Sequence, residues 1–285
     1  MLSFYGRHLR RYASLAVHKS PSTFSASSTP SVVKLSDPLS KLSTVSNCKT
    51  YLEYVRDKQI NIHSSACQGT LYELLAGSQL SHLLNLYDLS WTGGAHDQGI
   101  DLLGSWDLSK FWNHVVAKGD ITPKTKIPQT KINGSPVRPM LRASIEYQRL
   151  VNPTKITKTA TSIETLTALV QCKNIKRDIS PAIIREMAGI YHFHVKNSKD
   201  MKRTFMFLVG ANNLTKQGRV QFDSSNCPLV FCKVLPLRLI EGKDAYDIDN
   251  WTGGNMESFY CNQFARAMLS GLQLEQQVQQ TIRDQ

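Results

Sequence analysis

Apolar positions along this chain follow two rhythms. From Thr50 to Leu84 they recur at steps of three and four, the spacing of one face of an α-helix. Tyr51, Tyr54, Val55 and Ile60 predict one short helix. Gly69 to Leu84 predicts a second, stronger one, with Leu71, Leu74, Leu75, Ala76, Leu80, Leu83 and Leu84 on its apolar side and Glu73 within it. Leu86 to Trp91, a Gly93-Gly94 turn and Ile100 to Trp106 then read as a β-hairpin with a long connection. Further on, Ala168 to Asn174 is a strand, and Ser180-Pro181 supplies an N-cap and first-turn proline for a helix through Ile183, Ile184, Met187 and Tyr191. Phe205 to Val209 has the continuous apolar run of a strand buried on both faces; a helix or turn starts near Thr215, and Leu229 to Cys232 is another strand. Met256, Phe259, Tyr260, Phe264, Met268 and Leu272 predict a C-terminal amphipathic helix within 255–283. This order describes an α/β domain with a mixed central sheet flanked by helices.

Two stretches stand outside that order. Residues 107–160 carry ten cations against three acids, a net +7, with prolines at 123, 128, 136, 139 and 153 that oppose a continuous regular element. They are expected to form a long basic insertion between the second and third strands. Residues 1–47 begin with arginines set among Leu2, Phe4, Leu9 and Tyr12, continue as a Ser/Thr/Pro-rich run, and contain no acid before Asp37. That composition is expected of a mitochondrial transit peptide followed by a linker, the alternative being a disordered basic tail that binds nucleic acid. Residues 48–285 then form one domain.

Composition narrows the class. The 285 residues carry a net charge of +12, which favours polyanionic partners, nucleic acid or an anionic membrane surface. No apolar run approaches the ~18 residues of a membrane helix, so no transmembrane segment is expected. Six cysteines without a Cys-x-x-Cys pair or zinc-finger spacing are read as free thiols in a reducing compartment. His192 and His194 stand two apart on a helix, where side chains do not face each other, and are read as surface or packing residues.

The polar residues inside the strands carry the candidate chemistry. In Leu169-Val170-Gln171-Cys172-Lys173, alternation sends Gln171 and Lys173 to one face and Val170 and Cys172 to the other. A lysine in a buried strand calls for a partner, and Asp101, in Gly99-Ile100-Asp101, is the expected one if the two strands adjoin. Hydrolysing a phosphodiester needs a divalent ion, oxygen ligands to hold it and a group that orients the attacking water. Asp101, Glu73, Gln171 and Lys173 supply those types. Asp101 would bind Mg²⁺ (or Mn²⁺), the Gln171 amide oxygen and the Cys172 carbonyl would complete the shell, Glu73 would bind the ion or its water, and Lys173 would position the nucleophilic water. Lys124, Lys126, Lys131 and Arg138 of the insertion are candidate phosphate contacts, salt-sensitive and blind to sequence.

These residues carry a resemblance. Gly69-x-x-Tyr72-Glu73, Asp97-Gln98-Gly99-Ile100-Asp101 and Val170-Gln171-Cys172-Lys173 resemble the PD-(D/E)xK nuclease superfamily, in particular its Mrr-type restriction endonuclease branch, over residues 69–235. With its N-terminus the chain is also similar to a fungal mitochondrial family called required for respiratory growth protein 7. The first resemblance implies a restriction-endonuclease-like core, Mg-dependent endonuclease cleavage of DNA and a homodimer where both strands are cut; the transit-peptide reading adds a matrix location and so mitochondrial DNA. The second implies a role in respiratory growth without specifying an activity. Gln171 departs from the carboxylate that most of the superfamily carries, though the Mrr-type branch commonly has glutamine there. The alternatives on the same fold are a non-catalytic nucleic-acid-binding protein and a respiratory assembly factor.

Overall fold

A computed structural model describes residues 48–92, 98–122, 124–141 and 165–285, all within one compact unit, Pro38–Gln285. The transit-peptide and linker reading of 1–47, the Gly93-Gly94 turn and residues 142–160 of the insertion lie outside the described residues.

The chain opens with α1 (Cys48–Asp57) and α2 (Ser65–Leu84). Ser64 caps α2 by accepting from Cys67 N–H at 3.2 Å, and Asn85, at φ +61°, ends it. β1 (Leu86–Trp91) and β2 (Leu102–Trp106) pair antiparallel, as the hairpin reading expects. α3 (Ser109–Ala117) and a small hairpin, β3 (Thr130–Ile132) and β4 (Ser135–Val137), follow. Next come β5 (Leu166–Lys173), α4 (Pro181–His194), α5 (Ser198–Met201), β6 (Thr204–Gly210), α6 (Lys216–Asp223) and β7 (Leu229–Val234). The chain closes with β8 (Arg238–Leu239), β9 (Trp251–Thr252), β10 (Met256–Cys261), α7 (Gln263–Met268) and α8 (Leu274–Arg283).

Six strands form the central sheet in the order β1-β2-β5-β6-β7-β10. β5, β6 and β7 run parallel and the other neighbours antiparallel, so the sheet is mixed. Both faces are covered. Val170, Phe207, Val209, Val230 and Cys232 face α2, α3 and α8; Leu169, Met206, Leu208, Leu229 and Phe231 face α4 and α6. Burial on both sides is what a parallel run of three apolar strands requires. Trp106 anchors the first face: its rings pack edge-on to Phe205 and Phe207, and its Nε1 donates to Leu84 O at 2.9 Å.

The sequence reading needs two corrections. Residues 255–283 are not one helix: Met256–Cys261 is the edge strand β10, and two short helices follow. A register shift between Met256 and Ser258 is the cause, because a bulge breaks strict alternation and leaves Met256 and Phe259 buried three residues apart, a helix-like interval. Asn262 then separates strand from helix, accepting from Leu229 N–H (3.1 Å) and Ala265 N–H (2.9 Å) while donating to the carbonyls of Phe222 and Cys227. The basic stretch, in turn, does not begin as an insertion. Its first part folds as α3, whose Phe111, Trp112 and Val115 are buried in the main core.

Candidate functional site

β5 outlasts β2, and the candidate site lies where they part. Leu102 pairs with Val170 at the start of β2. One residue earlier, Asp101 still donates its N–H to Val170 O (2.9 Å) and offers its carbonyl to Thr92 N–H (2.8 Å). Gly99, at φ +82°, takes the chain off the sheet. At this point the Asp101 side chain replaces the strand, and its Oδ2 accepts the N–H of Cys172 at 2.6 Å. A carboxylate fixed by a backbone donor on the next strand has little freedom left.

Gln171 and Lys173 share the face of β5 that looks toward α4, as the alternation predicts. Gln171 is only 4% exposed. Its Nε2 donates to Glu186 Oε1 of α4 at 3.4 Å, and its Oε1 is buried with no hydrogen-bond partner. Lys173 Nζ lies 3.4 Å from the same Glu186 oxygen. The partner seen for the strand lysine is therefore a helix glutamate, where the sequence reading expected Asp101. Glu73 comes from the opposite side, on α2, and accepts from Trp91 Nε1 at 2.5 Å. Cys172 lies between the groups: burial first, then the Asp101 and Glu73 carboxylates, push its thiol well above the usual range. The structure thus gathers all four predicted residues around one stretch of β5, with Glu73 on the α2 side, Gln171 and Lys173 on the α4 side, and Asp101 at the strand end.

Glu186 was missed by sequence reasoning. The available signal was its place beside Met187, on the border of the apolar face that α4 lays against β5. The hairpin that carries Lys131 lies away from this stretch of β5. Lys124, Lys126, Lys131 and Arg138 are exposed, but the β3–β4 hairpin packs on α7 and Asn133 donates to Ser224 O, just before β7 begins. Since β5 and β7 run in the same direction, that is the opposite end of the strands from Lys173.

Among the described residues, no group of three or more His, Cys, Asp or Glu side chains is arranged to hold a metal ion. Magnesium does not need such a group, because it keeps several waters and takes one or two protein carboxylates. One anchored carboxylate and one partnerless buried amide oxygen suit a hard, largely hydrated divalent cation. They do not suit zinc, which favours thiolate and imidazole.

No helix among the described residues is long and apolar enough to cross a membrane. The six cysteines are all free. No solved structure matches the chain. A family model described as required for respiratory growth protein 7 matches residues 64–269. The chain is similar to the mitochondrial protein of that name from Zygosaccharomyces rouxii, with 33% identity over 222 residues, 77% of this chain and 84% of the relative. The Vanderwaltozyma polyspora protein is 29% identical over 231 residues, covering 79% and 84%. The Saccharomyces cerevisiae protein is 26% identical over 226 residues, covering 78% and 86%. With the model spanning most of the folded unit and the relatives matched over most of their length, the chain belongs to the required for respiratory growth protein 7 family, and is a mitochondrial protein with a role in respiratory growth.

Proposed function

We propose that the site performs metal-assisted hydrolysis of DNA phosphodiester bonds on a restriction-endonuclease-like core, and that this activity underlies the role in respiratory growth. The observation that carries the reading is Gln171 Oε1, a buried acceptor without a donor. Leaving such a group unsatisfied costs about 1–3 kcal/mol, a cost that a cation-binding role would explain.

Asp101 and Gln171 Oε1 would hold Mg²⁺ or Mn²⁺. The ion supplies charge neutralisation at the phosphoryl oxygens and a more acidic water. Asp101 contributes the negative charge, and its bond to Cys172 N–H keeps the carboxylate from swinging. Lys173, on the same face as Gln171, stabilises the negative charge that develops on the phosphate and orients the attacking water. Glu73 contributes a second carboxylate from α2, held by the Trp91 indole. Losing one carboxylate at position 171 is a real deficit, since a unit charge about 4 Å from a cation is worth a few kcal/mol near a protein surface.

A second reading, a non-catalytic nucleic-acid-binding or assembly factor, draws on the closed Lys173–Glu186 pair. One experiment separates the two. The full chain is incubated with plasmid DNA and Mg²⁺ or Mn²⁺ beside Asp101→Ala and Lys173→Ala. Nicking or linearisation by the wild type, reduced at least ~100-fold in both variants, is the expected result. Cutting that survives both substitutions overturns the assignment, and salt-sensitive binding without cutting favours the second reading.

A further inference from the structure

We propose that Glu186 is a positioning residue that fixes which end of the Gln171 amide faces the site. The proposal rests on the metal-assisted reading above and adds to it a residue from another element. A glutamine amide has two ends of similar shape and opposite polarity, and only the oxygen can ligate a cation. A carboxylate at this position would offer oxygen in either orientation; glutamine has to be held the right way round.

The structure contains the device that holds it. Glu186 Oε1 lies 3.4 Å from Gln171 Nε2, so the donor end points at α4. Turning the amide over would set its oxygen against a carboxylate oxygen at the same separation, an acceptor facing an acceptor. The observed orientation leaves Oε1 buried and free of a donor, turned away from Glu186. Gly99 closes in on the amide from the turn before β2: a Cβ there would come within 3.7 Å of Gln171 Nε2 and would run into Ile190 of α4. Side-chain exposure falls from 52% at Glu186 to 24% at Lys173. The glutamate thus reaches inward from the surface, and its one oxygen accepts from both Gln171 and Lys173. The Lys173 ammonium offsets the charge that Glu186 would otherwise bring close to the site.

The test uses the full chain labelled with ¹⁵N-glutamine, Gln171→Glu serving only to assign the Gln171 side-chain signal. In the wild type one amide proton of Gln171 is expected to be shifted downfield and to exchange slowly. In Glu186→Gln, whose amide can donate as well as accept and so no longer selects one end of Gln171, that signature is lost, and Mn²⁺ affinity read by calorimetry falls at least ~10-fold, the usual scale for a residue that orients a ligand. Lys173→Met provides the control. A positioning glutamate gives the same Glu186→Gln loss with or without Lys173, whereas a mere counter-ion for Lys173 gives none in the Lys173→Met background. An amide signature unchanged by Glu186→Gln, or an affinity loss that needs Lys173, overturns the proposal. A wild type that binds no Mn²⁺ overturns the metal-assisted reading instead, and the amide signature alone then decides the role of Glu186.

Discussion

Asp101 does for Cys172 what a neighbouring strand would do: across 2.6 Å its Oδ2 accepts a main-chain N–H where β2 has stopped supplying carbonyls. The residue proposed for chemistry is therefore also part of the sheet. Its two roles separate by substitution.

Asp101→Ala leaves that N–H without its acceptor and is expected to lose about 1.5–3 kcal/mol, the range for a hydrogen bond to a charged group. Asp101→Asn keeps an oxygen at the same place and should stay within about 1 kcal/mol of wild type while losing DNA cleavage like the alanine variant. Urea denaturation of the three proteins decides it. An alanine variant as stable as wild type would show that the bond does not support the sheet.

Gly99 is required by shape as well as by backbone angle. At φ +82°, an added Cβ would lie 2.4 Å from Ile190 Cδ1. Gly99→Ala is expected to destabilise by about 1–3 kcal/mol. Ile190→Val removes the clashing Cδ1 but keeps Cγ1, 2.9 Å from the added Cβ, so the double variant should recover part of the steric loss and keep the backbone part. Simple additivity of the two changes would argue that they do not touch.

Asn262 is fully buried and serves two elements at once. Asn262→Ala removes the acceptor of Leu229 N–H and Ala265 N–H and the donor to Phe222 O and Cys227 O. A loss of about 2–4 kcal/mol is expected from several orphaned backbone groups together. Amide hydrogen exchange locates it: Leu229 and Ala265 should lose protection first, while β5 keeps its own.

Alkaline pH should unfold this protein through its thiols. Burial raises Cys227 from 9.0 to about 12, and Cys48 from 9.0 to about 11. A folded-state value above the unfolded one means that the stability is complete below about pH 9 and declines as pH rises, because only the unfolded chain can ionise. One pH unit above the unfolded value costs about 1.4 kcal/mol per thiol. Urea midpoints should fall from pH 8 to pH 10, and Cys227→Ala should flatten that slope whatever it does to stability at pH 7.

The readable parts of this chain are those where one element dictates its own pattern. Phe205 to Val209 is apolar throughout because β6 is covered on both faces, and Ser180-Pro181 marks the start of α4 from local backbone chemistry alone. Gln171 and Lys173 stand out because alternation puts them on one face of an otherwise apolar strand. The parts that failed depend on tertiary context. The bulge in β10 made a strand look helical, and the charge of the segment after Trp106 hid the helix carrying Phe111 and Trp112. Glu186 could not be read from the strand it serves, since its contact with Gln171 exists only once α4 lies on β5. The end of the sheet to which the β3–β4 hairpin returns is likewise set by packing on α7, which no local pattern encodes.

That last placement sets a ruler. β5 has eight residues, roughly 25 Å of extended chain, between the end of the sheet that carries the basic hairpin and the end that carries Lys173. At 3.4 Å per step, about seven base pairs separate the two. On the proposed DNA-cleaving reading, a duplex touching both would lie along the strands, whereas one lying across them would meet a single end, so the shortest DNA bound with full affinity would report which way it runs.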